Sequence, residues 1–183
     1  MGITFSGKCD RAKELYARAD SDWAITRSIS GYCIFLGGAA IASSSRRQHC
    51  ISMSSCEAEL YALAECAIEL LYVIDLLKSI GHDVTGTPVQ VGTDNKGAHD
   101  LCHRFTSAQN SRHIDRRMFK CREMRGAGVV SVLWVPTLDN PADIFTKILS
   151  RQPFEKHRKT ILNLAAARGS GAPTSVEAGV GVT

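Results

Sequence analysis

The feature that most restricts the fold is a long helical pattern over residues 56–80. Apolar residues recur there at spacings of three and four, as on one face of an α-helix. Ser54 followed by Glu57 is a typical helix start, and Gly81 is a natural stop. At about 100° per residue, Glu59 lies on the apolar stripe, whereas Glu57 lies about 160° away. Glu59 is therefore expected either to point toward a packed sheet as a functional acid or to sit at the solvated end of the helix, and Glu57 to face solvent as a cap residue only.

Three short β-favouring runs precede this helix, and they predict an antiparallel meander. They cover residues 15–19, 31–36 and 39–44, with two glycines as a hairpin break at 37–38. Residues 46–48 form a polar break after the third run.

The second half of the chain alternates strands and helices. The predicted elements are a strand at 89–93, a helix at 95–101, a very basic helix at 111–125, a strand at 129–135, a helix from 140 to 148 and a last helix at 154–164. This order predicts an α/β (mixed α+β) fold, in which helices flank a mixed sheet. We expect residues 1–14 to form a lead-in, 15–164 one domain, and 165–183 a disordered tail, because the tail is small and Gly-rich.

Composition limits the class of protein. A chain of 183 residues with 44% hydrophobic residues suits one globular domain, and a net charge of +4 is compatible with nucleic acid as a partner. The seven cysteines form no CxxC pair, so free thiols are favoured over a zinc site. No signal peptide and no apolar run of about 20 residues are visible. We expect an intracellular protein, cytoplasmic or nuclear, that is neither secreted nor in a membrane.

Acids stand where the predicted elements would bring them together. Asp20 and Asp94 follow strands, and ligands collect at strand ends in α/β sheets. Asp143 lies in the first turn of a helix, where the helix dipole alone would also favour a carboxylate. Asp22 is the alternative to Asp20. Converging carboxylates repel each other unless a divalent cation such as Mg²⁺ or Mn²⁺ binds them, so these acids and Glu59 suggest a nuclease site.

Eight motifs occur in an order that resembles a known family. They are ADSDWA (19–24), SISGY (28–32), FLGGAAI (35–41), SCEAELYAL (55–63), TDNKGA (93–98), SRHID (111–115), VP (135–136) and ADIFTK (142–147). Over roughly residues 15–164, the chain resembles the RNase H domain of Copia-type retrotransposon Pol polyproteins.

The resemblance implies a five-stranded mixed sheet and cleavage of the RNA strand of RNA–DNA hybrids with two Mg²⁺ (or Mn²⁺) ions. It implies that Asp20, Glu59, Asp94 and Asp143 bind metal, and that a reverse transcriptase domain belongs to the parent polyprotein. The hairpin after Trp23 looks shorter than the family pattern, which could tilt Asp20. The loop 136–139 has no histidine where many cellular RNase H enzymes carry one.

Several polar residues are candidates for nucleic-acid contacts. Basic residues of the 111–125 helix share a face that could follow phosphates or could simply be solvated. Asn95 could bind a sugar or cap a helix. The candidates are Arg46, Arg47, Gln48, Asn95, Arg112, Arg116 and Lys120. Two other functions stay open: an inactive or domesticated nucleic-acid-binding domain, and a resolvase- or integrase-like nuclease that prefers DNA.

Overall fold

The computed structural model describes residues 2–5, 15–84, 86–103 and 115–164, with the backbone alone for 115–119. The predicted tail 165–183 and most of the predicted lead-in therefore lie outside the described residues.

The N-terminal meander is present and longer than predicted. Strands β1 (Leu15–Asp22), β2 (Ile29–Leu36) and β3 (Ala39–Arg47) pair antiparallel in succession. Gly37 and Gly38 turn the β2–β3 hairpin with φ of 58° and 88°, which glycine adopts without a Cβ clash. Arg46 and Arg47 belong to β3, so the predicted polar break begins only after them.

Helix α1 (Ser55–Ser79) confirms the predicted long helix and its start. The Ser54 hydroxyl oxygen accepts a hydrogen bond from the Glu57 amide at 3.1 Å. The Glu57 carboxylate turns back and accepts from the Met53 amide at 2.7 Å. Because of this contact Glu57 is buried, and the expectation that it faces solvent is wrong.

The remaining strands complete a five-stranded mixed sheet in the order β3-β2-β1-β4-β5. Strand β4 (Val89–Thr93) runs parallel to β1 and to β5 (Val130–Trp134). This confirms the predicted fold class. Because β1 and β4 are parallel neighbours, their carboxyl ends meet at one edge of the sheet.

Helices cover both faces of the sheet. Helix α1 packs against β1 and β2 over the main apolar core, and α2 (Lys96–His103) and α3 (Asp115–Gly126) pack beside it. Helix α4 (Arg151–Leu162) belongs to the smaller layer on the opposite face. None of the described helices is long and apolar enough to cross a bilayer.

The predicted helix from 140 to 148 is instead a short 3-10 helix (Pro141–Phe145). Asn140 caps it as predicted, with its side-chain oxygen accepting from the Ala142 amide at 3.3 Å. Directly after this helix the Thr146 hydroxyl donates to Asp20, and Ile148 is fully exposed.

Candidate metal centre

Three aspartates from three different elements meet at the sheet edge. One carboxylate oxygen from each of Asp20, Asp94 and Asp143 lies within 4.8 Å of the others. Asp20 comes from β1, Asp94 directly follows β4, and Asp143 lies in the 3-10 helix. Asp20 and Asp143 are buried, whereas Asp22, the alternative to Asp20, is exposed and outside the cluster.

A glycine lets the 3-10 helix reach the sheet. Gly31 of β2 stands opposite Asp20 in the strand register. A Cβ at this position would lie 2.6 Å from Thr146 Cγ2 and 2.9 Å from Phe145 Cβ. The absent side chain is therefore what allows Asp143 to approach Asp20. The β1–β2 pairing runs unbroken to the end of β1, so the short hairpin after Trp23 does not disturb this register.

A second contact ties the same turn to β1. The side-chain amide of Asn140 donates to the Ala19 carbonyl at 2.9 Å, and both groups are buried. Thr146 adds a hydrogen bond from its hydroxyl to Asp20 Oδ2. These contacts fix the Asp20 carboxylate relative to the turn that carries Asp143.

Glu59 projects from the first turns of α1 into the same edge and is buried. Its Oε1 accepts from the Ser21 amide at 2.9 Å and from the Ser21 hydroxyl at 3.0 Å. Its Oε2 accepts from the Thr93 hydroxyl at 3.0 Å. Glu59 is not a member of the three-aspartate cluster, but Asp20 and Asp94 both contribute to the rise of its pKa. The predicted orientation toward the sheet is confirmed.

Burial makes negative charge costly at this edge. Burial, with smaller contributions from Asp143 and Asp94, raises the pKa of Asp20 to about 7, although the Thr146 hydrogen bond and the Lys147 charge lower it. Burial also raises the pKa of Glu59 to about 8, with Asp20 and Asp94 adding to the shift. The pKa of Asp143 is raised as well, chiefly by burial. A positive charge among these groups would relieve the repulsion.

The chemistry of the donors fits a hard divalent cation. Carboxylate oxygens are the ligands that Mg²⁺ and Mn²⁺ prefer. Asp143 Oδ1 is buried without a hydrogen bond of good geometry, and the cation that faces it is the Lys147 ammonium at 3.2 Å. This carboxylate oxygen therefore stands at a position that takes a positive charge.

Lys147 is a site residue that the sequence did not single out. Its ammonium nitrogen lies 3.2 Å from Asp143 Oδ1 and 3.6 Å from Asp20 Oδ2. Burial lowers the pKa of Lys147, but the two aspartates raise it more, so the net pKa is above its ordinary value. The residue closes the ADIFTK motif, and its spacing of four from Asp143 was the signal available in the sequence.

The nucleic-acid candidates near α1 separate into two groups. Arg46 and Arg47 are exposed at the end of β3. Gln48 is buried: its amide nitrogen donates to the Ser30 hydroxyl and to the Ala58 carbonyl, each at 2.9 Å. The prediction of a nucleic-acid contact by Gln48 is therefore wrong, because its polar atoms are already paired inside the protein.

The candidates around α2 and α3 have mixed positions. Asn95 accepts from the Ala98 amide at 3.0 Å, so it caps α2. Lys120 is half-exposed and pairs with Glu123 at 3.3 Å. Arg112, and the side chain of Arg116, lie outside the described part of the chain.

An exposed apolar surface lies directly beyond the end of β1. The Trp23 ring is 45% exposed, although its indole nitrogen donates to the Ser52 carbonyl at 3.0 Å. Ile25 and Met53 are also exposed. The hydrogen bond from Trp23 to Ser52 joins the loop after β1 to the loop before α1. In the sequence, Trp23 stands out only as a residue of the ADSDWA motif.

The fold has well-defined relatives among solved structures. RNase H1 from the halophilic archaeon Halobacterium salinarum NRC-1 matches with a TM-score of 0.53 and 15% identity, over 72% of this chain and 93% of that one. LC11-RNase H1 in complex with an RNA/DNA hybrid matches with a TM-score of 0.57 and 15% identity, again over 72% and 93%. The chain therefore has the RNase H fold.

Sequence comparison identifies the nearer family. The chain is 34% identical over 151 residues to the retrovirus-related Pol polyprotein from transposon RE1 of Arabidopsis thaliana, and 33% identical over 129 residues to that from transposon TNT 1-94 of Nicotiana tabacum. The matches cover 80% and 70% of this chain but 10% of each relative. No family model matches. The chain is homologous to a segment of these plant transposon Pol polyproteins, which confirms the resemblance drawn from its motifs.

Proposed function

We propose that this chain is a metal-dependent ribonuclease H that cleaves the RNA strand of RNA–DNA hybrids. The observation that carries the proposal is the meeting of Asp20, Asp94 and Asp143, which come from three elements, within 4.8 Å at the sheet edge. The RNase H fold and the Pol relatives support the hydrolase class, and one solved relative is described as a complex with an RNA/DNA hybrid.

The three aspartates and Glu59 would hold Mg²⁺ or Mn²⁺, and we propose two ions. Bound ions of this kind activate a water and neutralise the charge that develops at a scissile phosphate. The protein's own part is to hold the carboxylates still. The Thr146 hydroxyl orients Asp20, while the Ser21 and Thr93 hydroxyls orient Glu59. Ligands fixed in this way would reorganise little on metal binding.

Substrate contacts would come from the surfaces beside the acids. Exposed Arg46 and Arg47 would bind phosphates, and the exposed ring of Trp23 offers an apolar contact for a sugar or base. Lys120, together with Arg112 and Arg116, would extend the phosphate contacts along the hybrid. Asn95 directly follows Asp94, and its side-chain oxygen caps α2. From this position it would contact the hybrid beside the acids.

The biological setting of this activity would be reverse transcription. Because the chain spans 10% of the Pol relatives, we propose a reverse transcriptase domain as its neighbour in the parent polyprotein. The hybrid would then be produced by that neighbour and degraded at the acid cluster.

A non-catalytic hybrid-binding domain is the second candidate. Lys147 gives the buried aspartates a counter-charge from within the protein, so the acids do not require a metal ion to be tolerated. Such a domain would bind the hybrid with steep salt dependence but would not cleave it.

Cleavage of an end-labelled RNA–DNA hybrid in Mg²⁺ tests the proposal. Wild type is expected to cut the RNA strand, and Asp94→Asn is expected to be inactive. Asp139→Asn is the control, because Asp139 is exposed, pairs with Lys156 and does not belong to the acid cluster. A panel with duplex DNA, duplex RNA and single-stranded RNA should show cutting of the hybrid alone.

Each other outcome has a distinct meaning. A wild type that binds the hybrid but leaves it intact would support the non-catalytic candidate. Cutting of duplex DNA in preference to the hybrid would support a resolvase-like nuclease. Equal activity of Asp94→Asn and wild type would contradict the assignment of the site.

A further inference from the structure

Lys147 lies at the solvent side of a buried carboxylate pair. Its ammonium contacts Asp143 at 3.2 Å and Asp20 at 3.6 Å. The two aspartate side chains are 7% and 2% exposed, whereas the lysine side chain is 33% exposed. The lysine side chain is therefore partly exposed, while its ammonium contacts two buried carboxylates.

We infer that the Lys147 ammonium occupies a cation position of the metal centre in the metal-free protein, and that a divalent cation displaces it when it binds Asp20 and Asp143. The inference rests on the proposed function, because it requires these acids to take a metal. It adds that the chain carries its own competitor for the metal.

Electrostatic repulsion disfavours simultaneous binding of the Lys147 ammonium and a divalent ion to Asp20 and Asp143. A divalent ion bound to Asp143 and Asp20 would stand within a few ångströms of the ammonium, and like charges at such separations repel strongly in a partly dry site. Asp143 Oδ1, which faces the lysine, is buried and forms no hydrogen bond of good geometry beyond this ion pair. The oxygen that the lysine contacts is thus one that a divalent cation would bind in its place.

The lysine can leave without a change in the backbone. Lysine has a flexible four-carbon stem and a strongly hydrated ammonium, so rotation about side-chain bonds can carry the charge into water. The neighbouring groups, in contrast, are fixed: the Thr146 hydroxyl stays on Asp20 through its own hydrogen bond. Displacement would then free the carboxylates in the geometry that they already have.

A second lysine–aspartate pair provides a matched control. Lys156 contacts Asp139 at 2.6 Å, but both side chains are more than half exposed. Exposed pairs of this kind contribute little, because water already solvates both charges. Removing the Lys156 charge changes the net charge of the protein as much as removing that of Lys147, without touching the acid cluster.

The test is a Mn²⁺ titration of the full 183-residue chain, with free Mn²⁺ measured by electron paramagnetic resonance. Lys147→Met is expected to bind Mn²⁺ about tenfold more tightly than wild type, within the range usual for two coupled ligands. Lys147→Arg, which keeps the charge, and Lys156→Met should bind as wild type does. Lys147→Gln is a second neutral variant if the methionine variant does not fold.

The rise in melting temperature on adding Mn²⁺ gives a second readout, and it should be larger for Lys147→Met than for wild type. Equal Mn²⁺ binding by wild type and the neutral Lys147 variants would overturn the inference and leave the proposed function standing. Equal tightening in Lys156→Met would overturn it too, by showing a general charge effect. If neither wild type nor the Lys147 variants bind Mn²⁺, both the inference and the proposed function fail.

Discussion

The two sides of the acid cluster hold their carboxylates by different means. On one side, Asp20 and Asp143 face the ammonium of Lys147. On the other, Glu59 accepts hydrogen bonds from two hydroxyls and a backbone amide, and no lysine or arginine among the described side chains forms an ion pair with it. A metal ion can replace the ammonium of a flexible lysine, but it cannot replace the hydroxyl and amide groups that donate to Glu59. Metal binding would therefore exchange the positive charge next to Asp20 and Asp143, whereas the hydrogen bonds to Glu59 hold that carboxylate in position.

The largest effect is expected from Glu59→Gln. It removes a ligand charge while keeping the shape of the side chain, so hybrid cleavage should fall about a thousandfold. Glu57→Gln is the control, because Glu57 is buried too but only contacts the Met53 amide at the start of α1. The measurement is the cleavage rate of the labelled RNA–DNA hybrid for wild type and for both variants. A Glu57→Gln loss as large as that of Glu59→Gln would mean that the helix start, not the ligand, controls activity.

Gly31→Ala should disrupt the lysine side by packing alone. The new methyl group would meet Thr146 Cγ2 at 2.6 Å and push the 3-10 helix away from β2. Overpacking of this kind costs about 1–3 kcal/mol, measured as a loss in the free energy of unfolding by urea. Gly126→Ala is the control, because a Cβ there would meet nothing within 4 Å. If Gly31→Ala is as stable as wild type and binds Mn²⁺ equally well, the close approach is not what assembles the site.

The metal-free protein should lose stability as the pH rises. Folding raises the pKa of Asp20 from 3.8 to about 7 and that of Glu59 from 4.5 to about 8. The folded state therefore favours the protonated acids. Their contribution to stability is fully present below the unfolded pKa values and is lost as the pH rises through the folded ones.

Urea unfolding with a chelator, at pH values of about 5 and about 9, measures this loss. Saturating Mg²⁺ should reduce the pH dependence, because a bound cation favours the ionised acids. Glu59→Gln should also reduce it, since one of the two titrating groups is gone. Stability that increases between the two pH values in the metal-free wild type would contradict the account.

Ser21→Ala should have the smallest effect. It removes one of the two hydrogen bonds that Ser21 gives to Glu59, and the backbone amide bond remains. The expected loss is about 1 kcal/mol in unfolding free energy, with a few-fold fall in cleavage rate. Ser79→Ala is the control, since its hydroxyl donates to the Leu76 carbonyl on an exposed helix end. Equal effects of the two variants would show that the Ser21 hydroxyl has no special part in positioning Glu59.

Much of this geometry could be predicted from sequence because it follows from local periodicity. The spacing of apolar residues along α1 placed Glu59 toward the sheet, and the ends of β1 and β4 placed Asp20 and Asp94 at one edge. These statements depend only on the repeat of a helix and on the direction of parallel strands.

The features that could not be predicted depend on contacts between distant segments. Lys147 meets Asp20 only because the 3-10 helix packs on β2, and Gln48 is buried only because Ser30 and Ala58 offer partners across the fold. The burial of Glu57 has a local cause, since its carboxylate turns back to the chain before the helix. A helical projection gives the direction of a side chain around the helix axis, but it does not show which group the side chain will form a hydrogen bond with.

The most direct test of the central claim is a crystal structure of the protein with Mn²⁺, located by anomalous scattering. The account predicts Mn²⁺ bound to carboxylate oxygens of Asp20, Asp94 and Asp143, with Glu59 completing the site and the Lys147 ammonium moved into solvent. The account would be contradicted by crystals at saturating Mn²⁺ in which the ion is absent from these acids and Lys147 still contacts Asp20 and Asp143.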